Sequence, residues 1–132
     1  MNKKYYSSKG STDTGKKKYL EDNLQAEAVK WYNNTFCLKT QNPRGLIYSV
    51  PNGGSRDAVE AMKLRDTGTL AGVSDLHIIL PNGRFLFAEA KIIGGRQSDS
   101  QKDFEQRVKF LGFEYIIFYN LEEFKSMIYA RL

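Results

Sequence analysis

The chain is poor in the residues from which many active centres are built. Its 132 residues include one cysteine (Cys37), one histidine (His77) and three prolines. A single cysteine forms no internal disulfide and fits a reducing, cytoplasmic compartment. One cysteine and one histidine cannot make a structural zinc site of the Cys/His type. A Ser-His-Asp or Cys-His triad would have to use His77 and is not expected. No apolar run approaches the ~20 residues of a membrane span. The first residues, Met1-Asn2-Lys3-Lys4-Tyr5-Tyr6, lack the apolar core of a secretory leader, so a protein that is neither secreted nor membrane-bound is expected.

The charge is also less telling than its total. The net +5 lies wholly within residues 1–18, which hold six lysines and one acid; the remaining segment has fourteen charges of each sign. That Ser/Gly/Thr/Lys-rich stretch reads as a flexible basic arm, followed by one domain over residues 19–132. Lys16, Lys17 and Lys18 could give it a salt-sensitive grip on phosphates. A merely solubilising tail is an equal alternative, because the stretch carries no specific motif.

What remains is ample for a core: 41% hydrophobic and 13% aromatic residues. Leu20, Leu24, Ala28 and Trp31 form a helical stripe within a helix from Tyr19 to about Asn33. Glu27 stands at its margin, either reaching solvent or held for a purpose. After the break at Asn42-Pro43-Arg44-Gly45, Leu46–Val50 reads as a strand. Ser55 can cap a helix from Arg56 to Asp66 whose inward face is Ala58, Ala61 and Met62. Ser98 and Gln101 have the spacing of a capping box, before a helix with Phe104, Val108 and Leu111 on one face. Tyr115–Tyr119 then reads as a strand and Leu121 onward as a last helix. The order α-β-α-β-β-α-β-α implies an α/β domain with a mixed sheet flanked by helices.

The centre of interest is Gly72-Val73-Ser74-Asp75 and, fourteen residues after that acid, Glu89-Ala90-Lys91, joined by apolar strands around Pro81-Asn82-Gly83. A two-residue Asn-Gly turn would put Asp75 and Glu89 on opposite faces of the hairpin. A three-residue turn, with Pro81 and Asn82 in type I geometry and Gly83 left-handed, sets Asp75 opposite Glu89 with Lys91 on the same face. The second register is preferred, though a bulge could still alter it. Facing carboxylates repel and draw in a cation, and a hard divalent ion would relieve them. Such an ion polarises phosphoryl oxygens and activates water, with the lysine neutralising growing negative charge. Gln101 has two open roles: capping its own helix, or facing the sheet beside Lys91. Replacing Lys91 by Ala is expected to spare folding and abolish chemistry.

These residues, Gly72-Val73-Ser74-Asp75-Leu76, Glu89-Ala90-Lys91 and Ser98-x-x-Gln101, resemble the VRR-NUC family of the PD-(D/E)xK nuclease superfamily. Glu27 and the Pro51–Arg56 loop sit where that family has its helix glutamate and its Asn/Gly/Arg segment, and the resemblance spans about residues 20–120. It implies a restriction-endonuclease-like core and a metal-dependent DNA endonuclease. Glu27, Asp75, Glu89 and the Ala90 carbonyl would surround Mg²⁺ or Mn²⁺, and Lys91 and Gln101 would serve the attacking water. No small-molecule cofactor is implied. Stand-alone members occur in phages and bacteria and look like Holliday-junction resolvases in form, which implies a homodimer acting on branched DNA. Ser74 departs from the family's usual proline before the Asp. Arg56 and Arg96 are candidate phosphate contacts. The competing expectation is a nucleic-acid-binding module that keeps the fold without catalysis.

Overall fold

The computed structural model describes residues 13–37, 45–51 and 57–132. The Asn42-Pro43-Arg44 break and the segment with Ser55 and Arg56 lie outside them, as do residues 1–12. Helix α1 (Asp13–Tyr32) passes into a π-helical turn at Asn33–Cys37. Strand β1 (Leu46–Ser49), helix α2 (Ala58–Asp66) and the hairpin β2 (Leu76–Ile79) and β3 (Phe85–Ala90) follow. Helix α3 (Asp99–Phe110), strand β4 (Glu114–Phe118) and helix α4 (Leu121–Tyr129) complete the order expected from the sequence.

Among the described residues the strands form one sheet in the order β1-β2-β3-β4. β1, β2 and β3 are antiparallel neighbours, and β4 runs parallel to β3. The parallel pair needs a crossover, which α3 supplies. Period-two alternation divides the side chains between two cores. Leu76, Ile78, Leu86, Ala88, Ile116 and Phe118 pack with Leu24, Ala28 and Tyr32 of α1 and Phe124 and Ile128 of α4. On the other face Tyr115 packs with Phe104 and Val108 of α3, against Phe87 and Ile117. β3 has a strand on each side and a packed core on each face, so a polar side chain on it is removed from water.

Several sequence expectations about the helices need correction. First, α1 starts at Asp13 rather than Tyr19, so Lys16, Lys17 and Lys18 ride on a helix and not in a flexible arm. Lysine is a good helix former, Lys18 pairs with Asp22 one turn on, and the packed turns around Leu24 and Ala28 supply the nucleus. Second, the buried stripe of α1 is Leu24, Ala28 and Tyr32, while Leu20 is largely exposed. The helix is rotated toward Tyr32, which turns Glu27 out to solvent. Third, α2 is capped by Asp57, whose side chain accepts from Glu60 N at 2.8 Å, and it buries no residue; Met62 is exposed. Leu111, expected inward on α3, is likewise exposed.

The hairpin register is the preferred one. Leu76 pairs with Ala88 and His77 with Phe87, and Leu80 N donates to Arg84 O at 2.7 Å. The pairing ends at Leu76, and Asp75, in a bend one residue before it, reaches the end of β3 through its carboxylate, which accepts from Ala90 N. The turn itself differs from type I, because Asn82 (φ 65°) and Gly83 (φ 73°) are both left-handed. Asparagine is among the few side chains that tolerate that region. The loop keeps three residues, and length rather than turn type fixed the register.

Candidate active site

The site lies where β3 ends, between the first turns of α1 and the start of α3. Gly72 prepares it. Its φ of 80° is left-handed, and a side chain there would collide with the carbonyl of Ser100. Only glycine lets the segment before β2 press against the first turn of α3. Ser74, in place of the resembled proline, is buried and donates its hydroxyl to Leu76 O at 3.2 Å, so no polar group is stranded.

Asp75 then meets the end of β3, where its Oδ2 accepts from Ala90 N at 3.1 Å. Burial pushes its carboxyl up from 3.8 to about 6. The Ala90 N–H and Lys91 oppose that shift, while Glu89 and Glu21 add to it. Glu89 is fully buried. Its Oε2 accepts from Gln97 Nε2 at 2.8 Å and from the Tyr115 hydroxyl at 3.0 Å. Its Oε1 is buried and accepts no hydrogen bond among the described residues. Lys91, only 7% exposed, carries its Nζ 3.5 Å from that oxygen and 3.9 Å from Glu21 Oε2.

Glu21 was missed in the sequence. It stands three residues before Leu24 and seven before Ala28, hence on the buried stripe, whereas Glu27 is a solvent-facing side chain away from the site. The stripe was the available signal, and reading it through Leu20 and Trp31 pointed to Glu27, whereas Glu21 is the helix glutamate that lines the cleft. Gln97 and Tyr115 were also missed, since neither belongs to a motif and the parallel register that brings Tyr115 to Glu89 has no local signature.

In front of Asp75 and Lys91 opens a cleft of about 940 Å³. Lys17, Lys18 and Arg96 stand on its walls with Glu21 and Gln101. Asp75 and the buried Lys91 therefore sit at the floor, with Lys17, Lys18 and Arg96 toward the rim. Gln101 has taken its capping role: its Oε1 accepts from Ser98 N at 2.8 Å, while its own N–H reaches Ser98 Oγ. That hydrogen bond fixes the direction of the side chain at the start of α3. His77 plays no part here. It lies on the α3-side face of the sheet, edge-on to Tyr48, Phe85 and Phe87, with its pKa lowered by burial.

Asp75, Glu89 and the Ala90 carbonyl can be tested as a cation site. Among the described residues no three Asp, Glu, His or Cys side chains are grouped to hold a metal. Two carboxylates are nonetheless adjacent, one with a raised pKa and the other with an orphaned buried oxygen. Both features are relieved by a hard cation that takes oxygen ligands and keeps several waters. The donor set fits such an ion.

An α/β domain with a cation-rimmed cleft, floored by Asp75 and Lys91 at the open end of its central strands, is the class that fold and site define. No protein-family model matches the sequence, and no curated protein does. Solved structures do share the fold. One described as a VRR_NUC domain superimposes with a TM-score of 0.59 at 18% identity, over 85% of this chain and 97% of that one. Another, a VRR_NUC domain protein, gives 0.63 at 20% identity, over 83% of this chain and 84% of that one. The chain has the VRR-NUC domain fold.

Proposed function

We propose that this protein is a VRR-NUC nuclease, a divalent-metal-dependent endonuclease that hydrolyses DNA phosphodiesters. The observation that carries the reading is the juxtaposition of Asp75, Glu89 and Lys91 at the end of one hairpin, facing a cleft rimmed by Lys17, Lys18 and Arg96. Asp75, Glu89 and the Ala90 carbonyl would hold Mg²⁺ or Mn²⁺, with Glu21 in reach of its water shell in place of Glu27. When bound, the ion polarises a phosphoryl oxygen and acidifies water.

The chain's own residues do the rest. Lys91 balances the buried Glu89 and its part-buried acidic neighbours and offers its ammonium to charge growing on the phosphate. Lys17, Lys18 and Arg96 bind backbone phosphates and set the strand across the acids. Gln101 fixes the first turn of α3 beside the cleft. Selectivity for branched or junction DNA, with a homodimer making paired cuts, is the finer proposal, because two symmetric cuts need two sites. Exposed Phe110, Leu111 and Phe113, at the end of α3 and in the turn after it, give such a dimer apolar surface to bury.

The test is cleavage of duplex, flap and four-way-junction DNAs with Mg²⁺ or Mn²⁺, alongside sedimentation of the free protein. Nicked or paired-cut products with either ion support the reading. Tight binding without cleavage would favour the non-catalytic nucleic-acid-binding module, and a monomer would remove the paired-cut proposal.

A further inference from the structure

Glu89 is held in an asymmetric way. It lies on β3 with its side chain on the α3 face, and the parallel register places Tyr115 of β4 beside Phe87, one same-face position behind it. The tyrosine ring is long enough to lean forward, so its hydroxyl donates to Glu89 Oε2 at 3.0 Å. Gln97, just ahead of the Ser98 cap of α3, donates to the same oxygen at 2.8 Å. Gln97 is itself anchored, because Nε2 also donates to Glu105 Oε1 at 3.0 Å, and Glu105 is gripped by Lys109 at 2.7 Å. Two donors fill one oxygen while the other has none. Lys91 stands 3.5 Å from that second oxygen, beyond the ~2.7–2.9 Å of a charge-assisted hydrogen bond.

We propose that Tyr115 and Gln97 are positioning residues which saturate Oε2 of Glu89 and so present Oε1 alone, in a fixed direction, to the cation of the site. Rotation of the carboxylate about its last bond would break both hydrogen bonds at once. The pair therefore makes Glu89 a one-oxygen ligand and prevents it from closing on Lys91 with both oxygens. Outer hydrogen bonds of this kind tune the groups that hold a metal. The inference rests on the metal-dependent reading above.

The test is calorimetric titration of the full chain with Mn²⁺, without DNA, for the wild type and Tyr115→Phe, Gln97→Met and Glu89→Gln, with circular dichroism as a check of folding. Tyr115→Phe deletes one oxygen from a packed ring, and Gln97→Met keeps the side-chain length. Each should weaken Mn²⁺ by about tenfold, toward the lower end of measured outer-partner losses, with the fold retained. Glu89→Gln should abolish binding. Wild-type affinity in both positioning variants, with loss in Glu89→Gln, overturns the positioning role and leaves the metal site standing. Equal or absent binding in wild type and Glu89→Gln overturns the metal site, and the positioning role with it. Should Tyr115→Phe fail to fold, Gln97→Met, on the half-buried side of Glu89, decides alone.

Discussion

Lys91 and Glu89 should show strong energetic coupling that is invisible in the motif. With Glu89 inaccessible and Lys91 nearly so, their charges meet at 3.5 Å in a poorly solvated place. At an effective dielectric of about 20, that separation corresponds to about 5 kcal/mol of attraction, most of it offset by the desolvation of both ions. Removing one partner exposes the cost without the offset. Lys91→Met keeps the volume, strands the Glu89 carboxylate, and should destabilise the fold by about 3–5 kcal/mol. Lys91→Met with Glu89→Gln should recover most of that, giving a coupling of about 2–4 kcal/mol by double-mutant cycle. Urea denaturation at pH 8 with chelator measures all four proteins. Additive losses, or a Lys91→Met protein as stable as wild type, would refute the buried pair. The sequence motif alone suggested that Lys91 could be removed without harm to folding; its burial against two acids says otherwise.

Asp75 carries a testable sign. Its folded pKa of about 6 lies above the ordinary 3.8, so its ionisation destabilises the fold: the cost is absent below about pH 4, grows to pH 6 and is full above. Asp75→Asn keeps an oxygen for Ala90 N and should be more stable than wild type at pH 8 in metal-free buffer, by about 1–3 kcal/mol. The gap should close toward pH 4 in urea titrations; a pH-independent gap would contradict the burial of that carboxyl. Glu21→Gln should weaken cleavage about tenfold, whereas Glu27→Gln should leave activity unchanged and stability within about 0.5 kcal/mol; steady-state assays of the two separate the helix glutamates. Lys17→Ala with Lys18→Ala should lower the salt dependence of DNA binding by about two counterions, read as the slope of log affinity against log salt.

Much of the site was legible because it is local. The three-residue turn determines the hairpin register that brings Asp75 to the end of β3 beside Glu89, and it does so although Asn82 adopts a conformation other than the one expected. The Ser98–Gln101 cap was equally readable, since both hydrogen bonds lie within four residues. The order of elements followed from periodicity and breakers. Long-range facts were not legible. The choice between Glu21 and Glu27 depends on how α1 is rotated over the sheet, which Tyr32 and Phe36 decide by burying themselves beyond the stripe that was read. Tyr115 reaches Glu89 only because β4 is parallel to β3 in one register, set by the packing of α3. Composition misjudged Lys16–Lys18, because a lysine run reads as an arm until packed turns downstream extend a helix into it.

The central claim is that Asp75, Glu89 and Lys91 perform metal-dependent phosphodiester hydrolysis. Single-turnover cleavage of a labelled four-way-junction DNA, wild type against Glu89→Gln and with binding measured on the same substrate, tests it most directly. Wild type should cut with Mg²⁺ or Mn²⁺ and be silent with chelator, while Glu89→Gln should bind and leave the DNA intact. Equal cleavage by the two proteins, or cleavage that survives chelation, would contradict it.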